Sequence, residues 1–264
     1  MSRLCPLFSG SSGNSYYIGS QNEGVLIDAG RSAKQITNML ANCNIEIGAV
    51  KAIFVTHEHS DHVKGLRVFA SKNHIDVYSS RGTLDSLDDS GMLTSDFHSD
   101  VVRSKGMECA GMLIQPFHTS HDCAEGYGYK IHTSDDRTIA FSTDLGYISS
   151  EVHEMITGSD LVVIESNHDV GMLQNGRYPY SLKQRILSDR GHLSNALCAS
   201  ELPELAHKGT TRFVLAHLSG ENNTPDLAYQ TALCSLTMAG LRQGIDFELS
   251  VAPKDNTIGK TILF

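Results

Sequence analysis

A chain of 264 residues that is 40% apolar and 19% charged has globular composition, which excludes the disordered and low-complexity classes. Its formal net charge of −9 excludes capture of nucleic acid by a general positive field, so any such role must rest on a local basic patch and on bound metal. Its six cysteines form no CxxC pair, and no run approaches the roughly 18 apolar residues of a spanning helix, so reduced thiols, a cytoplasmic setting and no membrane association are expected.

The opening MSRLCPLFSG lacks the apolar region of a signal peptide. It runs into Ser9-Gly10-Ser11-Ser12-Gly13-Asn14-Ser15, whose composition fits either a tight turn or a loop able to receive a phosphate. Val25–Ile27, Ala52–Val55, Ile139–Phe141, Leu161–Ile164 and Phe213–Ala216 are short, β-branched apolar runs that read as buried strands. Helical spacing lies between several of them, at Ala33–Leu40, Ser194–Leu205 and Asp226–Leu241, and this alternation predicts a layered α/β fold. No Pro/Gly/Ser-rich linker divides the chain, so 1–264 is read as a single domain.

The residues just past these strands carry the chemistry. Val25–Ile27 ends in Asp28-Ala29-Gly30, the next run in His57-Glu58-His59-Ser60-Asp61-His62, the third in Asp144 and the last in His217. Acids and imidazoles delivered at the C-terminal ends of strands are placed where α/β proteins build sites. Neutral imidazole and carboxylate are the ligands of a catalytic zinc-class metal. On a tight loop, His57 and His59 can converge on one ion while Asp61 and His62 serve a neighbour.

The HxHxDH run after an apolar strand resembles the signature of the metallo-β-lactamase superfamily, whose fold is a four-layer αβ/βα sandwich. The resemblance implies Asp28 as an acid supporting the metal loop, His121 as the third histidine of one ion with His57 and His59, and Asp61, His62 and His217 on the other ion, with Asp144 bridging. His118 competes with His121, since both come after Pro116-Phe117 and only one can take the family position. Gly126-Tyr127-Gly128-Tyr129, similar to the strand after this ligand in RNase Z-like members, favours His121. The ions implied are two divalent metals, zinc or manganese, with iron also compatible.

Departures from other branches narrow the reaction. Zinc β-lactamases commonly have Cys where Asp144 stands, flavodiiron proteins have Glu in place of His59, and the interval from Asp144 to His217 is too short for a β-CASP insertion. The Ser9–Ser15 loop, Glu165-Ser166-Asn167-His168-Asp169, Gly191–Asn195 and His217–Asn223 resemble the YycJ/WalJ subfamily. That resemblance implies a 5′-to-3′ exonuclease acting on double-stranded DNA ends, with Asp61 and Asp144 in the catalytic centre. His192 resembles the histidine of the RNase Z-like HxT element, which would protonate the leaving oxygen. Ser194 or Asn195 could cap the next helix while its backbone N–H groups face an anion, and Lys183 and Arg185, with Arg177 upstream, could form the local basic patch. A small-molecule thioesterase or cyclic-nucleotide phosphodiesterase, and a metal-binding regulatory protein without turnover, are the competing expectations.

Overall fold

The computed structural model describes residues 2–264. In chain order the strands are β1 (Arg3–Phe8), β2 (Ser15–Gly19), β3 (Gly24–Ile27), β4 (Val50–Phe54), β5 (Asp76–Ser79), β6 (Ser99–Val101), β7 (Met107–Cys109), β8 (Met112–His118), β9 (Tyr127–His132), β10 (Thr138–Ser142), β11 (Leu161–Glu165), β12 (Arg212–Ala216), β13 (Glu248–Val251) and β14 (Ile262–Leu263). They form one sheet in the order β14-β1-β2-β3-β4-β5-β6 and a second in the order β13-β12-β11-β10-β9-β8-β7. In each sheet, antiparallel hairpins give way to parallel pairing, from β3 to β6 in the first and from β10 to β13 in the second.

The period-2 alternation of the strands assigns each sheet two buried faces. In β3, Val25 and Ile27 enter the core shared with the other sheet, whereas Leu26 packs outward with Ile36, Leu40 and Phe69. In β12, Val214 and Ala216 face the shared core, and Phe213 and Leu215 pack against Leu202, Leu205 and Leu236 on the outer helices. The result is helices, sheet, sheet, helices, which is the expected four-layer αβ/βα sandwich. Burying a side chain such as Phe54 or Phe141 at its centre contributes about 1.5–3 kcal/mol.

The predicted helices appear with small shifts. Ala33–Asn42 starts at a Ser32/Gln35 capping box, Asn195–His207 at Ser194, and Pro225–Met238 at Thr224 with Pro225 in the first turn. The C-terminal ends of β3, β4, β10, β11 and β12 open on the same edge of the sandwich.

Candidate metal centre

The site is assembled from those strand ends. Asp28 comes directly after β3, His57, His59, Asp61 and His62 after β4, Asp144 after β10 and His217 after β12, while Glu165 is the last residue of β11. Asp28, Asp144 and His217 all hold left-handed backbone, with φ of 62°, 58° and 53°. That conformation costs a non-glycine residue about 1–3 kcal/mol and persists only where surrounding bonds over-determine it. Here it turns each side chain back over its strand end.

The loop after β4 is clamped from beneath. The amide of Asn14 donates to the Asp61 carbonyl at 2.7 Å, that of Ala29 to the His62 carbonyl at 2.8 Å, and that of Gly30 to the Asn14 carbonyl at 2.8 Å. A Cβ on Gly30 would sit 1.7 Å from the Asp61 carbonyl oxygen, so only glycine lets the two backbones approach this closely. Asp28, fully buried, accepts from the Thr56 amide at 2.7 Å, the Thr56 hydroxyl at 2.9 Å and His62 Nδ1 at 2.7 Å.

These bonds set the tautomers. With its own proton given to Asp28, the Thr56 hydroxyl accepts from His57 Nδ1 at 3.0 Å. His121 Nδ1 donates to the Gly191 carbonyl at 3.0 Å, and His217 Nδ1 to Glu165 at 2.9 Å. His57 and His121 therefore present a bare Nε2 to the interior, and His217 turns its Nε2 the same way, the atom through which a neutral imidazole binds a metal. His121 Nε2 lies 3.3 Å from His59 Nδ1, and the rings of His57 and His59 are 4.6 Å apart. Asp61 Oδ2 lies 3.6 Å from His62 Nε2 and 3.5 Å from His217 Nε2, and Asp144 Oδ2 is 3.3 Å from His62 Nε2.

His57, His59 and His121 thus offer one set of three ligand atoms, Asp61, His62 and His217 a second, and Asp144 joins His57 and His62 in a third that overlaps both. Within this cluster His57 Nε2, His217 Nε2 and Asp144 Oδ2 are buried with no hydrogen-bond partner. Buried polar atoms without a partner are costly, and three aimed into one His/Asp cluster are what a divalent cation satisfies once the His217 ring is neutral. The residues present fit the metal.

His118, the competitor of His121, lies exposed on β8 and contacts Glu125 and Glu151 instead. The burial that removes His121 from water, together with the neighbouring His192 imidazole, pulls its pKa down against the opposing pull of Asp144. Burial and the His62, His121 and His59 rings push His57 well below the ordinary histidine value. For His217, burial would act in the same direction, but Asp144, Asp61 and Glu165 raise it to about 10. The surrounding carboxylates likewise overcome burial at His62 and hold it well above its usual value.

Glu165 organises the far side of the cluster, a role that sequence reading missed. Its Oε1 accepts from His192 Nδ1 at 2.8 Å and His217 Nδ1 at 2.9 Å, while Oε2 accepts from the Leu145 and Leu193 amides at 3.0 Å each. Burial opposes its charge, yet the two imidazoles hold its carboxyl well below the usual range, so it is ionised. The available signal was positional: Glu165 stands at the end of an apolar strand, as Asp28 and Asp144 do. Asn14 was missed as well. Its Nδ2 lies 3.1 Å from His62 Nε2, and its Oδ1 accepts from the Gly10 amide.

The helix cap expected of Ser194 or Asn195 is present at Ser194, whereas the expectations for Lys183 and Arg185 need correction. Ser194 is buried and accepts from the Leu197 amide, and Asn195 is buried with its side chain bonded to Ser166 and Asn223. Lys183 donates to the Gln174 and Gly176 carbonyls at 2.8 and 2.7 Å, closing off the end of the short helix Val170–Asn175. Arg185 is at the rim, but its guanidinium is paired in fork geometry with Asp122. Lys183 and Arg185 therefore do not form the free basic patch expected of them, because carbonyl and carboxylate partners already engage both cations. Arg177 is exposed. The cluster opens on a cleft of about 210 Å³ bordered by His59, Asp61, Asp144, His192, His217 and Arg185.

Residues 24–218 match the model of the beta-lactamase superfamily domain. The chain belongs to the metallo-β-lactamase superfamily. Within that superfamily it groups with the YycJ/WalJ proteins: it is 38% identical over 246 residues to exodeoxyribonuclease WalJ of Streptococcus pneumoniae, covering 92% of this chain and 91% of that protein. It is also 38% identical over 248 residues to exodeoxyribonuclease YycJ of Bacillus anthracis, covering 92% of each. The metallo-β-lactamase fold is shared with YhfI of Bacillus subtilis, at a TM-score of 0.72 and 15% identity over 99% of this chain and 98% of that one. Human tRNase Z, short form, aligns at a TM-score of 0.65 and 17% identity over the same shares. Among the described residues no helix is long and apolar enough to cross a membrane.

Proposed function

We propose that this chain is a metal-dependent phosphodiesterase that degrades double-stranded DNA from its ends, in the 5′-to-3′ direction, as one catalytic domain in a reducing cytoplasm. The observation that carries the reading is the nest of ligand atoms in which His57 Nε2, His217 Nε2 and Asp144 Oδ2 are buried and unpartnered. The names of its 38% identical relatives supply the DNA substrate.

His57, His59 and His121 would hold one divalent ion and Asp61, His62 and His217 a second, with Asp144 between them. Zinc, manganese and iron are compatible with this donor set. When bound, such ions acidify water and neutralise charge on the phosphorus-bound oxygens.

The chain's own residues do the rest. Glu165 fixes His192 by its Nδ1, so any proton delivered to the leaving oxygen is carried on His192 Nε2. The carboxylate holds the ring in one orientation for that transfer. Arg185, held by Asp122 and half exposed at the rim, keeps part of its guanidinium for a phosphate approaching the cleft.

The test is release of mononucleotides from a 5′-phosphorylated linear duplex in zinc or manganese, with a covalently closed circle as control. Equal cutting of the circle would identify an endonuclease. Failure to cut either, beside good thioester hydrolysis, would move the protein to a small-molecule substrate.

A further inference from the structure

A second cavity adjoins the metal cleft and has no part in holding the ions. It measures about 440 Å³, and Ser11, Tyr178 and Ser219 line both it and the cleft, so the two are compartments of one depression. Its walls are the loop after β1, the Leu218–Glu221 turn after His217, and the first residues of the helix Pro225–Met238. Ser9, at its base, accepts from the His217 amide at 2.9 Å, tying this wall to the ligand it adjoins.

The lining decides what the cavity suits. Glu221 and Lys254 are its charged residues, opposite in sign, and the rest of the lining combines serine, asparagine and threonine with Leu218, Pro225 and Ala252. A phosphate chain needs net positive charge, which this compartment lacks. A flat, neutral group with hydrogen-bonding edges and an apolar face matches it, and the volume falls within the range of about 300–1,000 Å³ usual for small-ligand sites. Tyr178 stands at the junction of the compartments, where an aromatic ring can stack on a base.

We infer that this cavity is a nucleoside subsite, receiving the base and sugar of the terminal nucleotide while the adjoining phosphodiester lies in the metal cleft. The inference rests on the phosphodiesterase reading and extends it: the scissile bond is selected by its distance from a chain end that the cavity encloses.

Gly220 provides the probe. It lines the cavity, its φ is not left-handed, and a Cβ there would meet nothing within 4 Å, so Gly220→Leu adds bulk without backbone strain. Wild type and Gly220→Leu are compared on a linear duplex with an ordinary terminal nucleotide, on one whose terminal nucleotide lacks its base, and on a small aryl phosphodiester. Losing one base contact should lower wild-type kcat/KM on the baseless end by about tenfold. Gly220→Leu should lower turnover of the ordinary end by a similar factor, add little on the baseless end and leave the aryl substrate unchanged.

Equal wild-type turnover of both ends would overturn the subsite while the nuclease reading stands, and this arm needs no variant. Should no DNA be cut, equilibrium dialysis with dAMP decides: binding that Gly220→Leu weakens supports the subsite without the nuclease reading, and binding that it leaves undiminished overturns it.

Discussion

His192 and Glu165 are joined by a 2.8 Å hydrogen bond from Nδ1 to Oε1, and the same oxygen accepts from His217 Nδ1 at 2.9 Å. One buried carboxylate thereby orients both the imidazole proposed as a metal ligand and the imidazole proposed to protonate a leaving group. Any change at Glu165 must therefore be felt in metal affinity and in turnover together.

Glu165→Gln separates charge from shape. Its amide cannot accept from two imidazoles and two backbone amides as the carboxylate does, so metal affinity should fall about 10–100-fold and turnover by about 100-fold. Calorimetric metal titration alongside steady-state kinetics reads both. Glu165→Ala should also destabilise the apo-protein by about 3–5 kcal/mol, since it strands buried polar partners.

His192→Ala should keep its metal content and fold but lose about 10²–10⁴-fold in kcat on DNA, whose leaving alkoxide needs a proton. Aryl phosphodiesters with acidic leaving groups should be affected far less. Equal losses on both substrates would remove His192 from the acid role.

Asp144 lies near atoms of both proposed ligand sets, at 3.3 Å from His62 Nε2 and 3.9 Å from His121 Nε2. Asp144→Ala should abolish activity and lose at least about one metal equivalent per chain, measured by elemental analysis after dialysis. Full activity with undiminished metal would exclude Asp144 from the centre.

Metal uptake should release protons. Asp144, Asp61 and Glu165 outweigh burial and raise His217 to about 10, so near neutral pH its imidazole is protonated in the apo-protein. A divalent ion binds only the neutral ring, so binding must expel that proton, and apparent affinity should rise as pH climbs from neutrality towards about 10. Titrating apo-protein with zinc in weakly buffered solution should release about one proton per chain or more. A titration without pH change would contradict the placement of His217.

Arg185 is the cation lining the cleft of the proposed metal centre. Duplex binding should weaken with salt, and Arg185→Ala should reduce the log–log slope by less than about 0.9, the value of one fully neutralised phosphate, because Asp122 already engages part of the guanidinium. Lys183→Ala, by contrast, should leave the slope unchanged, because its ammonium is spent on the Gln174 and Gly176 carbonyls. Fluorescence anisotropy across a salt series measures both.

The sequence by itself determined the part written in short-range pattern. His57, His59, Asp61 and His62 lie within one tight loop, and Asp28, Asp144 and His217 each come at the end of an apolar run, so strand periodicity alone delivered them to one edge of the sheets. The layered fold was readable for the same reason. Tertiary structure decided the rest, where partners lie far apart in the chain. His121 is buried beside His57 and His59 while His118, three residues earlier, faces Glu125 and Glu151 in solvent, a distinction set by where the loop after β8 folds back. Glu165 acquires its role because parallel pairing of β10, β11 and β12 brings its carboxylate beneath His192 and His217, 27 and 52 residues away. Lys183 and Arg185 read as free charges, since nothing local reveals the carbonyls and the Asp122 carboxylate that the fold sets against them. Hydrogen bonds and ion pairs act over a few ångströms of space, and only the folded chain converts sequence separation into that distance.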